Sequence, residues 1–463
     1  MLSAVLNFGT NIALTRMLTE ADFGLLAMIA IFVAVASDLA NCGMVDGLIH
    51  KLKPTATDYG TMFLSISSMG LFFGLLFFFG APLFAAFFEQ PALADIMRVC
   101  GICFFFQCMY GTIEAYMRKH LRMKAICIAR ISAVATADAI GIILAAKGYG
   151  YWALVATQML VSVILFFYFL VAARWFPKLQ FSVKSFRELF NYGIHLMLAY
   201  LGTLVSKNIN TSVLGKAFSP SVSGVYYQGA KLAAVPFGVT ETSLNMPFFA
   251  VASNEPDDER RRALIVEMMP RIVGINAFIM MYLMVIGHPV IGLMYGSVWL
   301  AAVPILRILA VYEFMATTKF FCQTICKIYD STRLIRNLAF GEIVLQLALL
   351  AAMFRYGILW VAWSQALAVS MMLVLYFVVC ARRTGLRVSV FYRMMWEALW
   401  LPALAALVTL AVHYGIGSLW QLNNFMSCVV VTLAYGLTTI CVGEIFHPRV
   451  YMSWRNRLIR RRA

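Results

Sequence analysis

Lys207, Lys231 and Arg307 stand inside long stretches made otherwise of apolar and small residues. If those stretches cross a bilayer, each buried charge costs about 2.5–3.5 kcal/mol on insertion scales, so it is expected to face a water-filled cavity or a counter-charge. Lysine and arginine hold phosphate and carboxylate groups electrostatically. The chemistry open to these residues is therefore holding an anion. Helical spacing extends the pattern: Thr203, Lys207, Asn210 and Thr211 fall on one stripe, and Lys231, Ala234, Gly238, Glu241 and Asn245 on another. A small-and-polar stripe suits a cavity wall, and it equally suits tight helix packing with snorkelling lysines. Measured along their helices, the three cations lie roughly 10–14 Å below the outer membrane surface. Lys319 lies deeper toward the cytoplasm and is a weaker candidate.

The acidic candidates are Asp38, with Asn41 on the same helix face, Asp138 and Glu241. Carboxylates within a membrane carry protons or bind Na⁺, or they serve as partners for a buried cation, as Glu241 could for Lys231. Coupling to H⁺ or Na⁺ is the expectation drawn from them, with no other cofactor and no metal. Cys100 and Cys103 form a CxxC in "VCGICFFFQC", but no histidine cluster accompanies them, and they read as small packing residues of a helix.

The elements that position these residues follow from composition. The 463 residues are 62% hydrophobic and 13% charged, whereas a soluble chain is about 25% charged. "TMFLSISSMGLFFGLLFFFGAPLFAAFF", 61–88, has no charge at all, and about 20 apolar residues span a bilayer. The chain is expected to be an all-α, polytopic membrane protein of about fourteen helices. The net charge of +16 would suggest nucleic acid for a soluble protein, but no basic stretch is interleaved with exposed aromatics, and nucleic-acid binding is excluded. Basic residues concentrate after every even-numbered helix: Lys51 and Lys53; Arg118, Lys119, Arg122 and Lys124; Arg260, Arg261 and Arg262; Arg382, Arg383, Arg387 and Arg393; and five more in the tail "SWRNRLIRRRA". Cytoplasmic loops hold the excess of Lys and Arg, so both termini are expected in the cytoplasm. The most polar connection is only "SNEPDDERRRA", which leaves no loop for a catalytic domain. The first apolar segment begins at Met1 and barely spans a bilayer, so natural residues are expected upstream of it.

The chain repeats itself. "TRMLTEADFGLLAM", 15–28, answers "GKAFSPSVSGVYYQ", 215–228: Arg16 with Lys216, Thr19 with Ser219, Gly24 with Gly224. Thr19 and Ser219 are N-cap residues, Asp22 completes a capping box with Thr19, and Pro220 suits a first helical position. "YGYWALVATQ", 149–158, likewise answers "YGILWVAWSQ", 356–365. Two six-helix bundles, 1–186 and 187–392, inserted the same way up, are therefore expected, with two further helices and the basic tail over 393–463. Parallel repeats rocking about a site at mid-membrane are a transporter arrangement. Pro236, Pro247, Pro270 and Pro304 lie in or beside expected spans, where they kink helices or shape packing.

"LTRMLTEADFGLLAMIAIFVAVASDLANCGMVDGLIHK", "GYGYWALVATQ", "NINTSVLGKAFSPSVSGVYYQGAKLAAVP" and "MYGSVWLAAVPILRILAV" resemble the Wzx-type polysaccharide and lipopolysaccharide exporters, in the colanic-acid and teichuronic-acid branch of the multidrug/oligosaccharidyl-lipid/polysaccharide (MOP) superfamily. The resemblance runs from the first helix to about residue 390. It implies a MATE-like fold around a central cavity, in the bacterial inner membrane. It also implies flipping of an undecaprenyl-pyrophosphate-linked oligosaccharide by ion-driven alternating access, for surface polysaccharide or O-antigen synthesis. The partners implied are that substrate, membrane lipids and other polysaccharide-assembly membrane proteins. Lys207, Lys231, Arg307 and Asn210 would then meet the pyrophosphate or acidic sugars, and Asp38, Glu241 and Asp138 would couple the ion. Tyr227 and Gln228 stand where this branch commonly has Asn-Arg, and the basic leader usual in the branch is expected among the residues upstream. An ion-coupled multidrug antiporter is the alternative; a membrane glycan polymerase would need a large outer loop, and a scaffold without transport would leave the polar stripes unexplained.

Overall fold

The computed structural model describes residues 2–51, 53–329, 332–419 and 423–446; the basic tail, 453–463, lies outside them. The described residues form an all-α fold whose helices are α1 (Leu2–Met17), α2 (Glu20–Asn41), α3 (Met44–His50), α4 (Ala56–Phe88), α5 (Ala92–Lys119), α6 (Met123–Ala146), α7 (Tyr151–Ala173), α8 (Val183–Ala217), α9 (Pro220–Thr240), α10 (Met246–Ser253), α11 (Asp258–Met294), α12 (Val303–Ile328), α13 (Thr332–Met353), α14 (Ile358–Thr384), α15 (Val388–Leu419) and α16 (Asn424–Phe446). These reproduce the fourteen expected segments, with two of them broken. Cys42 and Gly43, both left-handed, part α2 from α3, and a π-helical turn, Glu241–Asn245, parts α9 from α10.

Ten helical segments among the described residues are long and apolar enough to cross a membrane. α8 and α9, which carry the polar stripes, are not among them. α1 has only 16 residues, and α16 contributes a shorter apolar stretch. The membrane-facing surface is apolar: on α4, Phe79 is 73% and Leu83 74% exposed, an exposure that water would penalise and lipid does not.

Packing divides the chain into two compact units, Met1–Tyr227 and Gln228–Ala463. The repeat boundary at 186/187 and this packing boundary at 227/228 measure different things. α8 opens the second copy of the repeat, yet it packs on α2, α3 and α4. In the first unit, α4 and α5 approach closely where Gly70 and Gly74 face Cys108 and Gly101. This small-xxx-small pattern brings helix backbones together in lipid, where no hydrophobic effect drives association. Met62, Phe77, Leu93, Ile96 and Phe104 fill the core there. In the second unit, α11, α12, α14 and α15 enclose Val273, Phe314, Phe321, Tyr376, Phe377 and Phe391.

Both copies of the second repeated motif start their helices alike. Gly150 precedes α7 with φ 54°, and Gly357 precedes α14 with φ 105°. A side chain is strained in that region, so the glycine in each "YG" is required by the backbone.

Candidate functional site

The two turns that the sequence repeats touch each other within the first unit. Thr19 caps α2, its Oγ1 accepting from the Asp22 amide at 3.4 Å while Asp22 Oδ2 accepts from the Thr19 amide at 2.9 Å. Ser219 Oγ accepts from the Val222 amide at 3.3 Å, and Pro220 opens α9. The corresponding glycines make the contact. A Cβ on Gly24 would strike the Pro220 carbonyl, and one on Gly224 would strike the Glu20 carbonyl. Farther along α2 the contact passes to α8, where Gly215 accommodates the Met28 side chain, and Ser212 Oγ donates to the Met28 carbonyl at 2.6 Å. At the far end of α2, Gly43 and Gly193 again meet backbone to backbone. The seam thus runs nearly the whole length of α2 and fixes the stripe of α8. Beside it Lys216 pairs with Glu89 at 2.6 Å, and that hydrogen bond and charge hold the Glu89 carboxyl below its ordinary pKa.

On the α8 stripe the candidates separate. Lys207 is exposed, whereas Asn210 is fully buried and donates Nδ2 to the Tyr226 hydroxyl at 2.9 Å. Thr211 is buried as well, and its carbonyl accepts from Ser223 Oγ at 2.8 Å. Asn210 and Thr211 therefore join α8 to α9, while the Thr203 side chain lies outside the described residues. In the second unit, Lys231 is half-buried on α9. Arg307 is exposed on α12, and its Nε donates to the Met284 carbonyl of α11 at 3.0 Å.

The acidic candidates occupy different surroundings. Among the described residues, Asp38 Oδ2 is buried with no hydrogen-bond partner. Asp138 is 5% exposed and accepts from Thr10 Oγ1 at 2.8 Å, tying α6 to α1. Glu241 is exposed and opens the π-helical turn. That turn was not expected from the sequence, although the flanking Pro236 and Pro247 were its signal; π-turns inside α-helices are frequent at functional sites. Its last residue, Asn245, is buried, and among the described residues neither atom of its amide is hydrogen-bonded. Gln228, in the position where arginine is usual in the resembled branch, is likewise buried with an unsatisfied amide. No group of three His, Cys, Asp or Glu residues is placed to hold a metal among the described residues.

Three ion pairs, made by two buried carboxylates, were not singled out by the sequence. Glu114 on α5 is 4% exposed. Its carboxylate receives Arg118 from the same helix at 2.6 Å and Arg130 from α6 at 2.8 Å. Lys319 on α12 meets Glu342 on α13 at 2.5 Å, both largely buried. The helices concerned are the fourth and fifth of each six-helix copy, and the signs are exchanged: the fourth helix brings the acid in the first copy and the base in the second. The i, i+4 spacing of Glu114 and Arg118 was a readable signal; the cross-helix partners were not.

A family profile described as "Polysaccharide biosynthesis protein" matches residues 13–304. The chain belongs to this polysaccharide biosynthesis protein family. It is similar to the Lipopolysaccharide biosynthesis protein WzxC of Escherichia coli, 24% identical over 306 residues, which cover 64% of this chain and 61% of the relative. It is also similar to the Succinoglycan biosynthesis transport protein ExoT of Rhizobium meliloti, 22% identical over 67% of this chain and 63% of the relative. The aligned part thus amounts to about three fifths of the length of these polysaccharide biosynthesis relatives. Among solved structures, the inward closed conformation of the lipid II flippase MurJ matches 97% of this chain and 99% of its own, with a TM-score of 0.74 at 15% identity. An inward-facing multidrug resistance MATE transporter of the MOP superfamily matches 84% of this chain and 96% of its own, with a TM-score of 0.64 at 14% identity. At such identities these two likenesses establish the fold: this family member is an all-helical, multi-pass membrane protein with the fold of these two transporters.

Proposed function

We propose that the protein flips a lipid-linked oligosaccharide, carried on undecaprenyl pyrophosphate, across the bacterial inner membrane for surface polysaccharide synthesis. The observation that carries this reading is the family membership over residues 13–304 together with a fold that matches the lipid II flippase along almost the whole chain. The substrate moves without any bond being broken. Its membrane-embedded site is exposed to one side and then the other, and the energy of an ion gradient enters as a difference in affinity between those states. On this reading Lys207, Lys231 and Arg307 attract the diphosphate or acidic sugars, and Asp38, Asp138 and Glu241 are the groups through which H⁺ or Na⁺ acts. Both termini lie in the cytoplasm, and polysaccharide-assembly proteins of the membrane are the natural partners.

The test is flipping of a fluorescent undecaprenyl-pyrophosphate oligosaccharide in proteoliposomes holding the purified full-length protein. Wild-type protein is expected to move the lipid in minutes and to respond to a proton or Na⁺ gradient. Lys207→Ala and Lys231→Ala are expected to insert normally and to lose at least ten-fold in rate. Absence of flipping by wild-type protein would overturn the reading. Unchanged rates in both variants would remove the lysines from it.

A further inference from the structure

Beside Glu114 the first unit holds a cavity of about 230 Å³. It is smaller than the roughly 300–1,000 Å³ of pockets that enclose drug-sized ligands, so it suits one sugar ring and not an oligosaccharide. α2 contributes Asn41 to the wall, α5 contributes Gln107, Tyr110, Glu114 and Arg118, and α6 contributes Arg130.

Charge and hydrogen bonding in this cavity are unbalanced in a specific way. Glu114 Oε1 accepts from Arg118 Nε at 3.0 Å, from Arg118 Nη2 at 2.6 Å and from Arg130 Nη2 at 2.8 Å, and Oε2 accepts from Arg130 Nη2 at 2.8 Å. One carboxylate therefore serves two guanidiniums, which leaves one positive charge in excess. Both Nη1 groups and Arg130 Nε are not engaged by Glu114, and both guanidiniums stay part-exposed. The buried Asn41 Oδ1 is an acceptor with no partner among the described residues. A Cβ on Gly111, one turn before Glu114, would meet nothing within 4 Å, so the wall is open there. The cavity thus presents a cationic end with N–H donors that Glu114 does not engage, the amide side chains of Asn41 and Gln107, and the ring of Tyr110. An anionic group flanked by hydroxyls fits this lining: guanidiniums clamp the anion, and the hydroxyls are suited to the polar amide wall. Glu114 lies roughly 7 Å from the end of α5, beside the basic turn of Lys119, Arg122 and Lys124.

From this geometry we propose that the cavity is a subsite for a single anionic pyranose, and that it takes one acidic sugar unit of the lipid-linked glycan on the cytoplasmic side. The inference rests on the flippase reading and deepens it. The anion is either a ring carboxylate, as in a uronic acid, or a phosphate on the anomeric oxygen, as at the lipid linkage.

The experiment is saturation-transfer NMR on detergent-purified full-length protein with four probes: glucuronate, glucose 1-phosphate, glucose and inorganic pyrophosphate. Glucuronate or glucose 1-phosphate is expected to bind at least ten-fold more tightly than glucose, and the one that does identifies the source of the anion. Arg130→Gln keeps the Arg118–Glu114 pair and is expected to weaken that binding at least ten-fold. Gly111→Leu leaves every charge in place, fills the open wall, and is expected to do the same should the Arg130 variant fail to fold. Equal binding of glucose, pyrophosphate binding as tightly as glucose 1-phosphate, no binding of any probe, or unchanged binding in Gly111→Leu would each overturn the subsite. The proteoliposome assay separates the two claims: flipping without probe binding removes the subsite alone, and probe binding without flipping removes the transport reading alone.

Discussion

At the scale of single residues, the ion pairs within the membrane are the costliest features of this chain. Lys319 and Glu342 meet at 2.5 Å with little exposure. Gln323 Nε2 donates to the Tyr376 hydroxyl at 3.1 Å on the neighbouring face of α12. Removing one partner of a buried pair strands the other charge, which costs about 3–5 kcal/mol, whereas replacing both by apolar residues of similar volume is near neutral. Lys319→Met is therefore expected to lower the detergent-state unfolding temperature markedly, and Lys319→Met with Glu342→Leu to restore most of it. A single variant as stable as wild type would show that the pair is not desolvated. Lys319 was legible in the sequence as a charge inside an apolar run. Glu342 became its partner only through the packing of α13 beside α12, 23 residues on in the chain, where spacing on one helix carries no information.

At the scale of elements, the seam that α2 makes with α9 and α8 depends on the absence of side chains. Gly24 and Gly224 each leave room for the other turn's carbonyl. Adding a methyl group where backbone atoms already touch forces a shift of the helices, and overpacking of this kind costs about 1–3 kcal/mol. Gly24→Ala and Gly224→Ala are expected to lower thermal stability by similar amounts. Thr19→Ala, which removes the cap of α2 but none of its packing, is expected to cost about 1 kcal/mol. Thermal unfolding of the three variants in one detergent checks the comparison; glycine variants as mild as the cap variant would mean that the turns separate easily. The caps of α2 and α9 were readable because they depend on residues three apart. The break at Cys42 and the π-turn at Glu241 were not, because each depends on how a helix end is held by its neighbours.

At the scale of the whole molecule, the all-α class and the positions of the apolar helices were legible because a bilayer imposes a length on every span. The candidate site was legible only in part. Asn210 has the spacing of a cavity residue but is used between α8 and α9, and the Glu114 cavity draws on five helices, α2 to α6, that no short motif connects. The orientation has its own expected outcome: reporters fused after residue 119 and after residue 384 should be cytoplasmic, and reporters placed after residues 89 and 148 should be external. A mixed pattern would show that one span has been miscounted. The reciprocal grip of Gly24 and Gly224 has a consequence for symmetry. Each glycine faces the carbonyl four residues before the other, Pro220 for Gly24 and Glu20 for Gly224, which is the form of an isologous contact. In a single chain the two sides are separate positions: the caps differ, a capping box at Thr19 and a Ser-Pro turn at Ser219, while a glycine stands at the contact on each side, so a substitution on either one presses on both turns.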